Sequence, residues 1–128
     1  MAEITALYVV PDRRPMLITF EDELENYQNL VGGYVEALSL NDNTDIICNE
    51  SAKLERMLPN RMLKYSDFDG IEDKGSKDFD LIHGSFLVIG ADNEQGIWNS
   101  LTPEQIEKYS ARFQNIEIYL DYELGMVR

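Results

Sequence analysis

A chain of 128 residues with 44% hydrophobic and 10% aromatic content is long enough for one ordinary core, which excludes whole-chain disorder. Its longest apolar runs, 6–10 and 86–89, are strand-sized, so no membrane span is expected. Against 11 lysines and arginines stand 24 aspartates and glutamates, a formal charge of −13. Such a field repels nucleic acid and anionic membranes and attracts basic protein surfaces or cations.

Residues 4–10 and 16–20 are apolar runs around a Pro-Asp turn and predict an N-terminal β-hairpin. A helix is predicted over 21–31, with Leu24, Tyr27 and Val31 on one face, acids in its first turn, and Gly32-Gly33 as its stop. Alternation over 34–40 predicts a strand, Asn41-Asp42-Asn43 a turn, and 44–49 the returning strand. Pro59-Asn60 is expected to interrupt the mixed stretch that follows, with a brief strand over 62–65. The polar, glycine-bearing segment 66–80, opening on Ser66 and closing on Asp80, reads as an exposed acidic loop. One buried strand is predicted over 81–90. Thr102-Pro103-Glu104-Gln105 carries an N-cap, a proline at the first helical position and the closing residue of a capping box, so a helix follows, with Ile106, Tyr109 and Phe113 on one face. Residues 116–123 alternate Ile116, Ile118, Leu120 and Tyr122 against Glu117, Tyr119, Asp121 and Glu123, the pattern of a half-buried strand with an acidic outer face. No repeat or linker divides residues 1–128, and a single α+β domain is expected, a mostly antiparallel sheet with two main helices packed on it.

Chemistry-bearing motifs are scarce. The one histidine, His83, reads as a strand-end residue satisfied by a backbone partner, and the one cysteine, Cys48, as a small buried hydrophobe. A single cysteine excludes an internal disulfide and, with no basic leader ahead of Glu3, points to the cytoplasm. No nucleophile elbow or phosphate-cradling glycine loop is present, two His and Cys residues cannot build a zinc site, and the acidic loops lack the spacing of a calcium loop. No cofactor, metal or catalytic set is expected.

The distribution of charge says more. No basic residue stands between Arg14 and Lys53, while Glu21, Asp22, Glu23, Glu25, Glu36, Asp42, Asp45 and Glu50 are all acidic. Carboxylates on alternate strand residues lie about 6.5–7 Å apart, comparable to successive phosphates, so Glu117, Asp121 and Glu123 are candidates for an acidic partner surface. Lys53, Arg56, Arg61 and Lys64 form the one basic stretch, read first as an internal partner for the acids and second as an anion site.

Leu30-Val31-Gly32-Gly33-Tyr34-Val35-Glu36, Cys48-Asn49-Glu50, Pro59-Asn60-Arg61, the run from Gly84 to Gly90 and Ser100-Leu101-Thr102-Pro103-Glu104-Gln105-Ile106, in that order and spacing, resemble an uncharacterised family of small phage and conjugative-element proteins, domain of unknown function 3846. The resemblance implies an accessory role and no established activity. Ala52 departs from it, standing where the family often has glycine. Glu36, Asn49, Asn60 and Arg61, which carry the resemblance, are expected to form a polar network, with Arg61 donating to a carboxylate and both asparagines bonding turn backbone, or else a ligand pocket. The leading expectation is a non-catalytic accessory protein of a mobile element that binds a basic protein, in its sharpest form a host-defence or nucleic-acid-binding protein. The alternative is a small-molecule or nucleotide-binding regulatory domain using a pocket around Arg61.

Overall fold

The computed structural model describes residues 2–40, 42–68 and 80–119. Its fold is α+β, with every paired strand antiparallel. β1 (Glu3–Val9) and β2 (Met16–Glu21) form the expected hairpin, in register from Glu3 opposite Glu21 to Tyr8 opposite Met16. α1 (Leu24–Val31) follows, then β3 (Val35–Ser39), β4 (Thr44–Asn49), β5 (Pro59–Leu63), β6 (Asp80–His83), β7 (Phe86–Asp92), β8 (Ile97–Asn99) and α2 (Pro103–Phe113). The main sheet runs β2-β1-β7-β4-β3 with β8 added beside β7, and β5 and β6 pair as a separate ribbon.

Central position explains the burial of β4, where all six residues are buried, and of β7, buried from Phe86 to Ala91. Successive side chains of a strand point to opposite faces, and here both faces are covered. On one side Ile4, Ala6, Ile47, Leu87 and Ile89 pack with Tyr27 and Val31 of α1. On the other Leu7, Val9, Ile46, Phe86 and Val88 pack with Tyr109 and Phe113 of α2 and with Leu63 and Ile82 of the ribbon.

Four boundaries differ from the sequence reading. α1 begins three residues late, because β2 continues through Glu21 opposite Glu3 and the Asp22 N–H bonds Ala2 O at 2.9 Å. Leu24 then falls in the first helical turn and is 58% exposed, outside the apolar face assigned to it. The stretch 81–90 is two strands in two sheets, since Gly84, at φ +77°, takes a left-handed turn between β6 and β7. Pro59 does not interrupt a strand but opens one: at the first position of a ribbon edge its missing N–H costs no ladder bond.

The fourth difference lies after α2. Residues 116–119 are not a strand, and their facing is the reverse of the expected one: Ile116 and Ile118 are 39% and 41% exposed, while Glu117 turns inward to accept the Met62 N–H at 2.9 Å. The remainder of that predicted strand lies outside the described residues. So does most of the predicted acidic loop, whose described start is not exposed throughout: Phe68 is buried, and Asp67 accepts two hydrogen bonds from Arg112.

Candidate functional site

Asn60 and Arg61 sit on β5 where the ribbon closes over the main sheet, and neither is exposed to solvent. Arg61 donates to Phe113 O from Nε (3.1 Å) and Nη2 (3.0 Å), to Arg13 O from Nη2 (2.8 Å), and to Asn60 Oδ1 (2.8 Å) and Asn60 O (3.5 Å) from Nη1. The Asn60 amide in turn donates to Val9 O and Gly84 O, both at 2.9 Å. This node ties β5 to β1, to the β6–β7 turn and to the C-terminal end of α2. It corrects one expectation: the guanidinium donates to carbonyls, not to a carboxylate. Burial lowers its pKa, and the nearby Glu117 charge works against that.

Asn49 belongs to a different place. Its amide donates to Val31 O (3.2 Å) and to Glu55 Oε2 (3.3 Å), and its Oδ1 accepts the Ser51 N–H at 2.7 Å. Gly32, at φ +80°, ends α1 in the left-handed conformation, and its N–H bonds Gln28 O. Gly33 has another reason to lack a side chain: a Cβ there would stand 2.8 Å from the Asn49 amide nitrogen. The result is a cleft of about 590 Å³ between the end of α1 and the turn after β4, lined by Asn29, Gly32, Gly33, Tyr34, Ser51 and Glu55.

Glu36 joins neither group. It is exposed on edge strand β3, where its carbonyl and Oε1 take weak contacts from the Cys48 thiol at 3.7 and 3.9 Å. The four residues expected to form one network are therefore divided among three settings. Burial, with the Glu36 and Asp80 charges behind it, pushes the Cys48 thiol up to about 12, which leaves it a buried, protonated hydrophobe. His83 meets Met57 O at 2.9 Å through Nδ1, the backbone partner expected of it. Among the described residues no three His, Cys, Asp or Glu side chains gather in a way that could hold a metal ion.

The charged groups are sorted by place. Lys53 pairs with Asp80, Lys108 with Asp42, Arg13 with Asp12, and Arg112 bidentately with Asp67. Burial opposes ionisation of Asp67, but the Arg112 fork and the Lys64 backbone N–H outweigh it and hold the carboxyl below its ordinary range. Of the proposed partner surface, Glu117 is engaged by the Met62 N–H and by the Tyr119 hydroxyl at 2.8 Å, while Asp121 and Glu123 lie outside the described residues.

The α1 side of the sheet is different. Among the described residues, β1, β2, α1, β3, β4, β7 and β8 contain no lysine or arginine, while the turn after β4 carries exposed Lys53 and Arg56 on either side of Glu55. Asp22, Glu23 and Glu25 are exposed where α1 begins, and Glu50 and Glu55 where it ends. The Arg112–Asp67 pair and the Glu117 cap had no signal in the sequence, since each joins residues 45 or 55 positions apart. The second glycine of Gly32-Gly33 did carry one, because stopping a helix requires only the first.

No curated protein and no solved structure matches the chain. A family described as Domain of unknown function (DUF3846) matches residues 4–114, spanning both helices and all eight strands apart from Glu3, and the chain belongs to that family.

Proposed function

We propose that this is a non-catalytic accessory protein of a mobile element that acts in the cytoplasm by binding a basic protein through the acidic surface on the α1 side. The observation that carries this reading is the absence of lysine and arginine from β1, β2, α1, β3, β4, β7 and β8, with Asp22, Glu23 and Glu25 exposed where α1 begins. Elsewhere Arg13, Lys53, Lys108 and Arg112 pair with Asp12, Asp80, Asp42 and Asp67, and Arg61 donates to backbone carbonyls. A field left uncompensated on one side accelerates encounter with a positive surface and repels nucleic acid and acidic proteins.

The surface proposed here is not the C-terminal row of Glu117, Asp121 and Glu123, because Glu117 spends its carboxylate inside the molecule. The rival pocket around Arg61 has no support either: the side chain is fully buried and each of its five N–H groups already meets an acceptor. Capture from host cytoplasm at low salt, followed by titration of the captured basic protein, tests the reading. Affinity should fall steeply as ionic strength rises to about 0.15 M, where the screening length is roughly 8 Å. A double Glu23→Lys, Glu25→Lys variant should lose at least about tenfold in affinity at low salt. Binding that ignores both salt and this charge reversal contradicts the proposal.

A further inference from the structure

We propose that the cleft at the C-terminal end of α1 is the seat for an arginine side chain of the partner. This rests on the reading above that the partner is basic, and it assigns the point where recognition is concentrated. The cleft lies at the C-terminal end of a helix whose last turn contains no basic residue. Its Gln28, Leu30 and Val31 carbonyls are taken by the Gly32 and Gly33 N–H groups, the Tyr8 hydroxyl and the Asn49 amide, so the charge offered to a cation there is that of side-chain carboxylates. Glu55 contributes a full negative charge to the wall and is held there by the Asn49 amide. Glu50 is exposed beside it, its N–H fixed to Tyr34 O at 3.0 Å.

Tyr34 completes the chemistry. It lines the cleft yet remains 73% exposed, an aromatic face presented to solvent. A planar guanidinium stacks on such a ring more favourably than an ammonium does and is less strongly hydrated, which selects arginine over lysine. Gly32 and Gly33 line the cleft with backbone alone, and the space their missing side chains leave is taken by Met57 and Asn49. Lys53 is held by Asp80, and Arg56, exposed and next to Glu55 in the chain, is not among the residues that line the cleft.

The test titrates hexa-arginine, and separately hexalysine, into the isotopically labelled full chain at low salt while amide shifts are followed by NMR. Saturable changes centred on Gly32, Gly33, Tyr34 and Ser51 are expected, with hexa-arginine the tighter ligand. Tyr34→Ala and Glu55→Gln should each weaken hexa-arginine about 3- to 10-fold. Glu94→Gln, in the distant β7–β8 turn, should leave its affinity unchanged. Because Tyr34 and Glu55 are exposed, both variants should keep the wild-type spectrum elsewhere, which the same experiment records. Shifts confined to the Asp22–Glu25 end, with Tyr34→Ala binding normally, overturn the arginine seat and leave the acidic-surface reading standing. Failure of both peptides to bind at low salt overturns both.

Discussion

Arg61 brings five N–H donors into the interior, and its fork geometry finds an acceptor for every one, on Phe113, Asn60 and Arg13. Substitution by methionine fills similar space but leaves three backbone carbonyls and the Asn60 amide oxygen without this donor. Arg61→Met should therefore lower stability by about 3–5 kcal/mol in urea denaturation. Arg61→Lys should recover little, because three donors on one nitrogen cannot reproduce the fork; a loss below about 1 kcal/mol in either variant would show the node to be dispensable. That Arg61 belonged to a polar network was legible in the sequence, but its acceptors were not. Backbone carbonyls leave no trace in residue identity, and Phe113 is 52 positions away.

Cys48 gives a second residue-scale expectation. Its thiol is raised from 9.0 to about 12 by burial first and by the Glu36 and Asp80 charges next. Above pH 9 the unfolded chain loses this proton while the folded chain keeps it, so the unfolded state binds fewer protons and stability falls as pH rises. The contribution is complete below the ordinary thiol pKa and is lost between about pH 9 and 12, at roughly 1.4 kcal/mol per unit. Cys48→Ala should flatten this part of the stability profile, although truncation itself will lower the whole curve; an unchanged alkaline slope would refute the assignment.

At the scale of elements, α2 illustrates what local sequence can and cannot announce. Its N-terminus was readable from Thr102 to Gln105 because a capping box is a contract between neighbours, and the structure makes both of its bonds, at 2.9 and 3.2 Å. What the pattern could not tell is that Gln105 has a second task. Its Nε2 reaches Asp42 O at 2.6 Å and Thr44 Oγ1 at 3.1 Å, fastening the start of α2 to the β3–β4 turn. Thr102→Ala should cost about 1 kcal/mol, an ordinary cap loss. Gln105→Ala should cost more, about 1–3 kcal/mol, since the Asp42 carbonyl and the hydroxyl of buried Thr44 lose a donor as well. Hydrogen exchange separates the cases: only Gln105→Ala should speed exchange in the β3–β4 turn, and equal effects there would contradict the second role. The division of 81–90 into two strands failed for a related reason. A run apolar throughout fits one buried strand, and only the left-handed Gly84, with Met57 packed against it, marks the change of sheet.

At the scale of the whole molecule, the charge of −13 acts on folding as well as on binding, and with the opposite dependence on salt. The described ion pairs neutralise carboxylates on or beside the ribbon and α2, and on the hairpin turn, whereas none of them involves Asp22, Glu23 or Glu25, which stand close together in the chain and repel one another. Raising ionic strength from about 0.01 to 0.3 M shortens the screening length from roughly 30 Å to below 8 Å and removes most of that repulsion. Melting temperature should accordingly rise with sodium chloride by a few degrees, about the response to 1 kcal/mol in a domain of this size. Glu23→Gln with Glu25→Gln should raise the melting temperature at low salt and shrink the salt response together. A melting temperature that falls with salt would mean that the surface ion pairs, not the unopposed carboxylates, dominate the balance. The carboxylates that favour a basic partner at low salt thus strain the fold under the same conditions, and a partner that neutralises them stabilises the domain as it binds.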